Sequence, residues 1–533
     1  MGELGSAGGV GGARRAAERL LARGALAALA LLIAVPAAGA GIQGAAGAPL
    51  RGEREQERLL AGHLLRRLGF GPNRREMHEV LRVGRAAYLE QQLRPDAMDD
   101  RLGVRRFHPE PGPRDDGLGW QLRWLTRMAY SRRQLQEKMT LLWHEHFATS
   151  YNKIGSYVLM HDQEELFRAH ALGSFRDLLV AVTTDNAMLF YLDNSNNDGQ
   201  ARNGGGEKIP PNENYARELL QLFALGVNQL DMDGTHVLDR GGKPVPAYSE
   251  ADVKEVARAL TGWVANSAMS DPEDPTEVIP PAVFVDSQHD PDAKTVLGVT
   301  IPADAATGAR DVERVVDILM QQRTMAPFIA KELILKLATE APSPGYVARV
   351  AAVFASTRGD IRAVLRALFT DPEFTSAAVL RSQYKVPIEH VMGMVRGLDA
   401  TGGARSLYYW TYLTGHLVYF PPSVFSFYRP GQKGALVSAA YVAMRDQAAD
   451  SLTSGYVDEY FDIFWDAGAM IRRHRLQRRP DTAVDLLARD LLAAPVAPST
   501  RRVLLDHIGP RVTEEKLRGA AWLLMCAPDY QVN

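Results

Sequence analysis

The chain has 533 residues and a single cysteine, Cys526, so it can form no intrachain disulfide and no cysteine-based zinc or iron–sulfur centre. Cys526 closes the apolar run 521–526 and reads as a small buried hydrophobe, since a thiol nucleophile needs a polar, electropositive setting. Charge of one sign is also missing. Sixty-one basic side chains face sixty-three acidic ones, for a net charge of −2, which gives no global electrostatic reason for nucleic acid or an anionic membrane surface as partner. Beyond the amino terminus no segment is long and apolar enough to cross a bilayer. Several catalytic signatures are absent as well. There is no Gly-x-Ser-x-Gly elbow, no His-Glu-x-x-His, no Walker loop and no Gly-x-Gly-x-x-Gly after a strand, which argues against common hydrolases, zinc proteases and nucleotide enzymes. The stretch 193–199 fails the calcium-loop pattern, because its glycine comes one place late.

What is present starts with an address. Arg14, Arg15, Arg19 and Arg23 precede an apolar stretch from Ala25 to Val35, followed by Pro36 and the small residues Ala38, Gly39 and Ala40. A basic segment, a short apolar core and an A-x-A-like site predict a secretory signal over 1–40, cleaved near Ala40, and delivery to the periplasm or the outside. A retained anchor is the alternative. The pair Arg14-Arg15 raises the twin-arginine route, but Ala16-Ala17-Glu18 does not continue that motif, so the choice of export route stays open.

Residues 41–56 lack apolar period and read as a flexible leader; residues 57–533 read as one unit. Its fold class is mainly α, a large multi-helix bundle-like body with a small β-hairpin and extended excursion in the middle. Residues 57–230 supply N-terminal helices, 231–305 the hairpin, a capped helix and the excursion, and 306–533 C-terminal helices. Apolar periodicity is clearest over 57–68, 73–93 and 118–143. Pro210-Pro211-Asn212 and Gly226 bound one helix, Ser249 with Asp252 forms a capping box at the start of another, and Thr235 to Leu238 sits between two turn sequences. The long polar loop of 193–211 is either mobile or built around a ligand.

Five stretches resemble one bacterial family. They are Trp143-His144-Glu145-His146-Phe147-Ala148-Thr149-Ser150, Ala171 to Leu179, Asn212 to Phe223, Ala257 to Trp263, and His289-Asp290 with Lys294 and Gly298. In this order they are similar to the family catalogued as domain of unknown function 1800, across about residues 60–530. The resemblance implies an exported bacterial protein and brings no activity with it. The chain departs from the family pattern after Pro421-Pro422, where a Gly-Trp-Pro element is expected and Ser423-Val424-Phe425 stands.

His144 and His146 are the most suggestive metal ligands. Two residues apart on a helix means about 200° of rotation, so a shared divalent ion requires the helix to end near Trp143. His289 and Asp290 are the further metal candidates, with Glu218 as a possible added donor. On the polar face holding Asn214, Arg217, Glu218 and Gln221, Glu218 is placed as a general base and Arg217 as the group that orients an anion. The competing account pairs Glu218 with Arg258 across two helices. Tyr408, Tyr409, Trp410, Tyr412, Tyr419, Phe420, Phe425, Phe427 and Tyr428 form an aromatic concentration that serves either packing or binding. The leading reading is thus a metal-dependent, hydrolytic envelope enzyme. The alternative is a non-catalytic binding or assembly protein for another exported protein or a polysaccharide.

Overall fold

In the computed structural model the described residues are 52–100, 117–266, 279–303, 308–428, 433, 438–455, 457–458 and 460–533. The expected signal of 1–40 and most of the expected leader lie outside them. The first helix, Glu53–Leu68, starts four residues before the expected boundary, with Glu53 and Glu55 in its first turn.

The body is mainly α, with only three two-stranded sheets among the described residues. Glycine and turn residues cut the expected long helices. Residues 73–93 form two helices, Arg74–Val83 capped by Asn73, and Arg85–Gln92, separated by Gly84 at φ 88°. Residues 118–143 also divide, into Leu118–Tyr130 and Gln134–Phe147, because Gln134 turns back to hold the carbonyls of Met128 and Ser131. The capping box forms as read: the Ser249 amide donates to Asp252 and the Asp252 amide to Ser249. The hairpin is a small three-segment meander, with Leu230 opposite His236 and Leu238 opposite Pro244.

Apolar side chains gather into two main cores. One is built by Leu64, Met139, Trp143, Phe147, Phe175, Leu219, Val256, Ile334 and Tyr346 with their neighbours. The other is built by Trp124, Leu141, Val391, Trp410, Tyr419, Leu452, Leu487, Leu524 and Tyr530. The helix Gln134–Phe147 contributes to both and so lies along the seam. Among the described residues no helix is long and apolar enough to cross a membrane.

Candidate functional site

The seam helix decides where the sequence candidates go. It continues through Phe147, so His144 and His146 leave it on opposite sides. His144 packs edge-on against Trp124, and its Nε2 accepts the Tyr419 amide at 3.2 Å. His146 is enclosed by Trp143, Phe147, Phe175 and Phe223, and its Nε2 donates to the Phe223 carbonyl at 3.0 Å. That carbonyl belongs to a π-helical turn, Leu219–Ala224, which follows the short helix Asn214–Glu218. Burial lowers both imidazoles to about 4. The two Nε2 atoms are thus engaged by different segments, the Tyr419 amide and the Phe223 carbonyl.

His289 and Asp290 lie in a separate buried ion network. Asp290 takes a bidentate contact from Arg258 and a 2.9 Å contact from Lys208, while His289 Nε2 lies 3.3 Å from Asp311 and 3.1 Å from Lys294. Burial raises the Asp290 carboxyl, but the Arg258 and Lys208 contacts outweigh it and hold it below the ordinary range. The polar loop is built around this network: the Gly199 amide donates to Gln288, the Gln200 side chain to the His289 carbonyl, and Asn197 bridges Asn194 and Asn212. Arg258 therefore does not pair with Glu218. Its partners are Asp290 and Glu255, while Arg217 pairs with Glu213 and Glu250. Glu218 is half-buried, and burial raises its carboxyl. Among the described residues the one group of three metal-type donors is His161, Glu164 and Glu165, and its carboxylates already hold Arg127 and Arg168.

The chemistry at the seam comes from residues between and beyond the candidates. At about 100° per residue, positions 138, 141, 142 and 145 fall within one arc, so Lys138 and Glu145 face the same way between the two cores. A small cavity opens there, lined by Lys138, Leu141, Glu145, Lys336, Glu389 and Tyr428, among others. Glu145 receives Lys336 at 2.7 Å and the Tyr428 hydroxyl at 3.0 Å, and His416 Nε2 lies 3.1 Å away. Burial would raise its carboxyl, yet Lys336 and His416 hold it well below the ordinary range. Lys138 pairs with Glu389, which burial would raise and Lys138 and Lys433 bring down to about 2. A second cavity lies on the other side of Glu389, where Arg66, Phe70, Lys385, Gly393 and Asn533 meet.

Lys138 and Lys336 line the first cavity and Arg66 and Lys385 the second, while Arg67, Lys433 and Arg445 are buried within the field of Glu389; besides Glu145 and Glu389, the carboxylates Glu332, Glu340 and Asp446 act on Lys336, Lys433 and Arg445. Lys138 and Lys336 are the two that Glu389 and Glu145 pair with directly. Arg66 donates only to the Leu492 carbonyl, Arg67 to the Gln383 amide oxygen, Lys433 to that oxygen and the Lys336 carbonyl, and Arg445 to Gln531 and the Lys385 carbonyl. Nε and Nη2 of both Arg66 and Arg67 are buried without a hydrogen-bond partner.

A protein-family model described as "Protein of unknown function (DUF1800)" matches residues 63–532. The chain belongs to the DUF1800 family. No curated protein and no solved structure matches it. The stretch 143–150 of this DUF1800 chain thus forms the end of the seam helix and its cap, with Glu145 facing the cavity between two buried histidines. Of the aromatic concentration, Trp410 and Tyr419 are core, Tyr412 and Phe425 are exposed, and Tyr428 lines the cavity. Sequence reading passed over the seam residues, although one pattern points to them. Lys138 with Glu145, and Lys336 within the apolar run 333–337, are single charges on otherwise apolar helix faces.

Proposed function

We propose that the protein is exported and that it takes a small oxyanionic ligand, carrying a carboxylate, phosphate or sulfate group, into the seam between its two cores. The observation that carries this reading is the pair of buried guanidinium groups, Arg66 and Arg67, each with Nε and Nη2 lacking a hydrogen-bond partner. A buried charge without a counter-charge costs several kcal/mol, and an anion reaching Arg66, which lines the second cavity, would satisfy its idle Nε and Nη2 donors. Burial also lowers Lys433 to about 8, the direction expected of a cation that lacks its partner. Export is supported by the arginine-flanked apolar segment at the amino terminus.

Thermal unfolding of the mature protein in phosphate, sulfate or acetate, at constant ionic strength, tests the reading. Anion at about 100 times its Kd should add about 2.7 kcal/mol of stability, and an uncharged sugar should add none. Lys433→Met should weaken the anion effect, because it removes one of the buried cations around Glu389. A wild-type protein indifferent to all three anions would remove the basis of the reading. A metal-dependent hydrolase is the other reading, and elemental analysis of the mature protein beside the His144→Ala, His146→Ala double variant tests it.

A further inference from the structure

Away from the seam, one surface segment carries arginines without the acids that balance the rest of the chain. Residues 472–479 hold five arginines, one histidine and no acidic residue. The buried Leu476 anchors the segment, and the Gln477 carbonyl takes the Val512 amide at 3.1 Å, while Arg473, Arg475, Arg478 and Arg479 are exposed. Arg472 pairs with Asp466, whereas these four make no ion pair among the described residues. Two half-buried arginines extend the patch. Asp490 fixes Arg74 through Nε and Nη2, at 3.0 and 2.7 Å, and Arg489 through Nε at 3.0 Å, and each guanidinium keeps donors to spare. His474 ties the segment to this clamp: burial lowers its imidazole, and Arg74, Arg489 and Arg473 lower it further against the single opposing charge of Asp490.

Helix electrostatics account for part of this charge only. Arg472, Arg473 and His474 close the helix Ala467–His474, whose carbonyl end favours cations. Arg478 and Arg479 instead precede the amide end of the helix Pro480–Leu491, which disfavours them, and Arg479 gives that helix no side-chain cap. Local stability would place an acid or a serine there. Departures of this kind from local preference gather at functional surfaces.

We propose that this segment, with Arg74 and Arg489, docks the protein on a membrane surface rich in anionic phospholipids. The net charge of −2 does not oppose it, because at physiological salt exposed charges more than about 8 Å away are largely screened and the local patch dominates. Cations from three parts of the chain can engage several phosphates at once, which is how a headgroup layer presents them. Residues 472–479 include no aromatic side chain, so the stacking platforms that hold single-stranded nucleic acid are missing from the segment. Docking does not use the seam, since Arg66 is buried out of reach of a bilayer.

Co-sedimentation of the mature protein with vesicles tests the proposal. At low salt it should pellet with phosphatidylcholine vesicles containing about one-third phosphatidylglycerol and stay in solution with pure phosphatidylcholine. At about 1 M salt, where the Debye length is about 3 Å, it should leave the anionic vesicles. The double variant Arg478→Gln, Arg479→Gln should weaken the partition about 25-fold, or about fivefold for each arginine removed. The variant Arg478→Lys, Arg479→Lys should keep it, because a headgroup layer needs only the charge, and urea midpoints check that both variants fold. The control Arg240→Gln, Lys243→Gln removes the same charge from the exposed meander and should change nothing. Equal weakening by the control would reveal a net-charge effect and overturn the proposal, as would equal binding to both kinds of vesicle or to neither. A protein that ignores anionic vesicles but binds soluble dextran sulfate would overturn it in favour of a soluble polyanion.

Discussion

The Nε2 atoms of His144 and His146 play opposite parts: the first accepts the Tyr419 amide and the second donates to the Phe223 carbonyl. The two neutral rings are therefore held as different tautomers, His144 with its proton on Nδ1 and His146 with its proton on Nε2. Each joins the seam helix to a different partner segment, and a metal ion at either Nε2 would have to displace that bond.

Acid should loosen both attachments. The folded imidazoles titrate at about 4 against an ordinary 6.5, so between those values the unfolded chain binds more protons than the folded one. The stability these two rings contribute is fully present above about 6.5 and falls as pH drops towards 4. Below 4.5 the loss continues, because Glu389 and Glu164 sit at about 2 in the folded state. Asp185 and Glu332, raised by burial to about 7, titrate in the opposite sense, so the test is a comparison: the fall in urea midpoint from pH 7 to 4 should be smaller in a His146→Gln variant than in the wild type, and an equal fall would refute this.

Glu145 and Lys336 should behave as a unit. Glu145→Gln leaves Lys336 buried without its counter-charge and should cost about 3–5 kcal/mol. The double change Glu145→Leu, Lys336→Met removes both charges and should recover most of that loss. A double-mutant cycle in urea measures the coupling, and strictly additive losses would count against it.

Asp290→Asn should release the polar loop. The carboxylate holds both Arg258 and Lys208, and weakening it frees the segment that carries Arg202 and Lys208, both exposed. Brief trypsin treatment should cut the variant at these residues well before the wild type. Equal cleavage rates would show that the Asn197 and Gly199 contacts hold the loop by themselves.

Gly262→Ala should destabilise by about 1–3 kcal/mol. Gly262 has φ 88°, and a Cβ there would stand 3.1 Å from the Val285 carbonyl and 3.2 Å from His289 Cβ. Thermal unfolding reads the loss, and a neutral outcome would mean that the 262–285 pairing yields easily.

Much of the fold was legible because it depends on local chemistry. The mainly α class, the Ser249–Asp252 capping box and the turns flanking Thr235 to Leu238 follow from spacing and turn residues alone. The breaks at Gly84 and at Ser131 to Arg133 were missed, since apolar periodicity runs through both. The site was less legible for a different reason. His144, His146, His289 and Asp290 are the residue types that draw attention, yet the structure seats each in an internal hydrogen-bond or ion-pair arrangement. Lys385 stands in Tyr384-Lys385-Val386 like any surface lysine, and only tertiary packing encloses it with Arg66.

The contacts that make the seam join distant parts of the chain. Glu145 meets Lys336 across 191 positions, Arg67 meets Gln383 across 316, and Arg66 meets Leu492 across 426. Helices close early because their partners are neighbours, whereas such long-range closures come late. On a chain emerging amino terminus first, Arg66 waits for almost the whole molecule before it finds its carbonyl. The seam is accordingly the part of the fold whose closure waits longest on the rest of the chain.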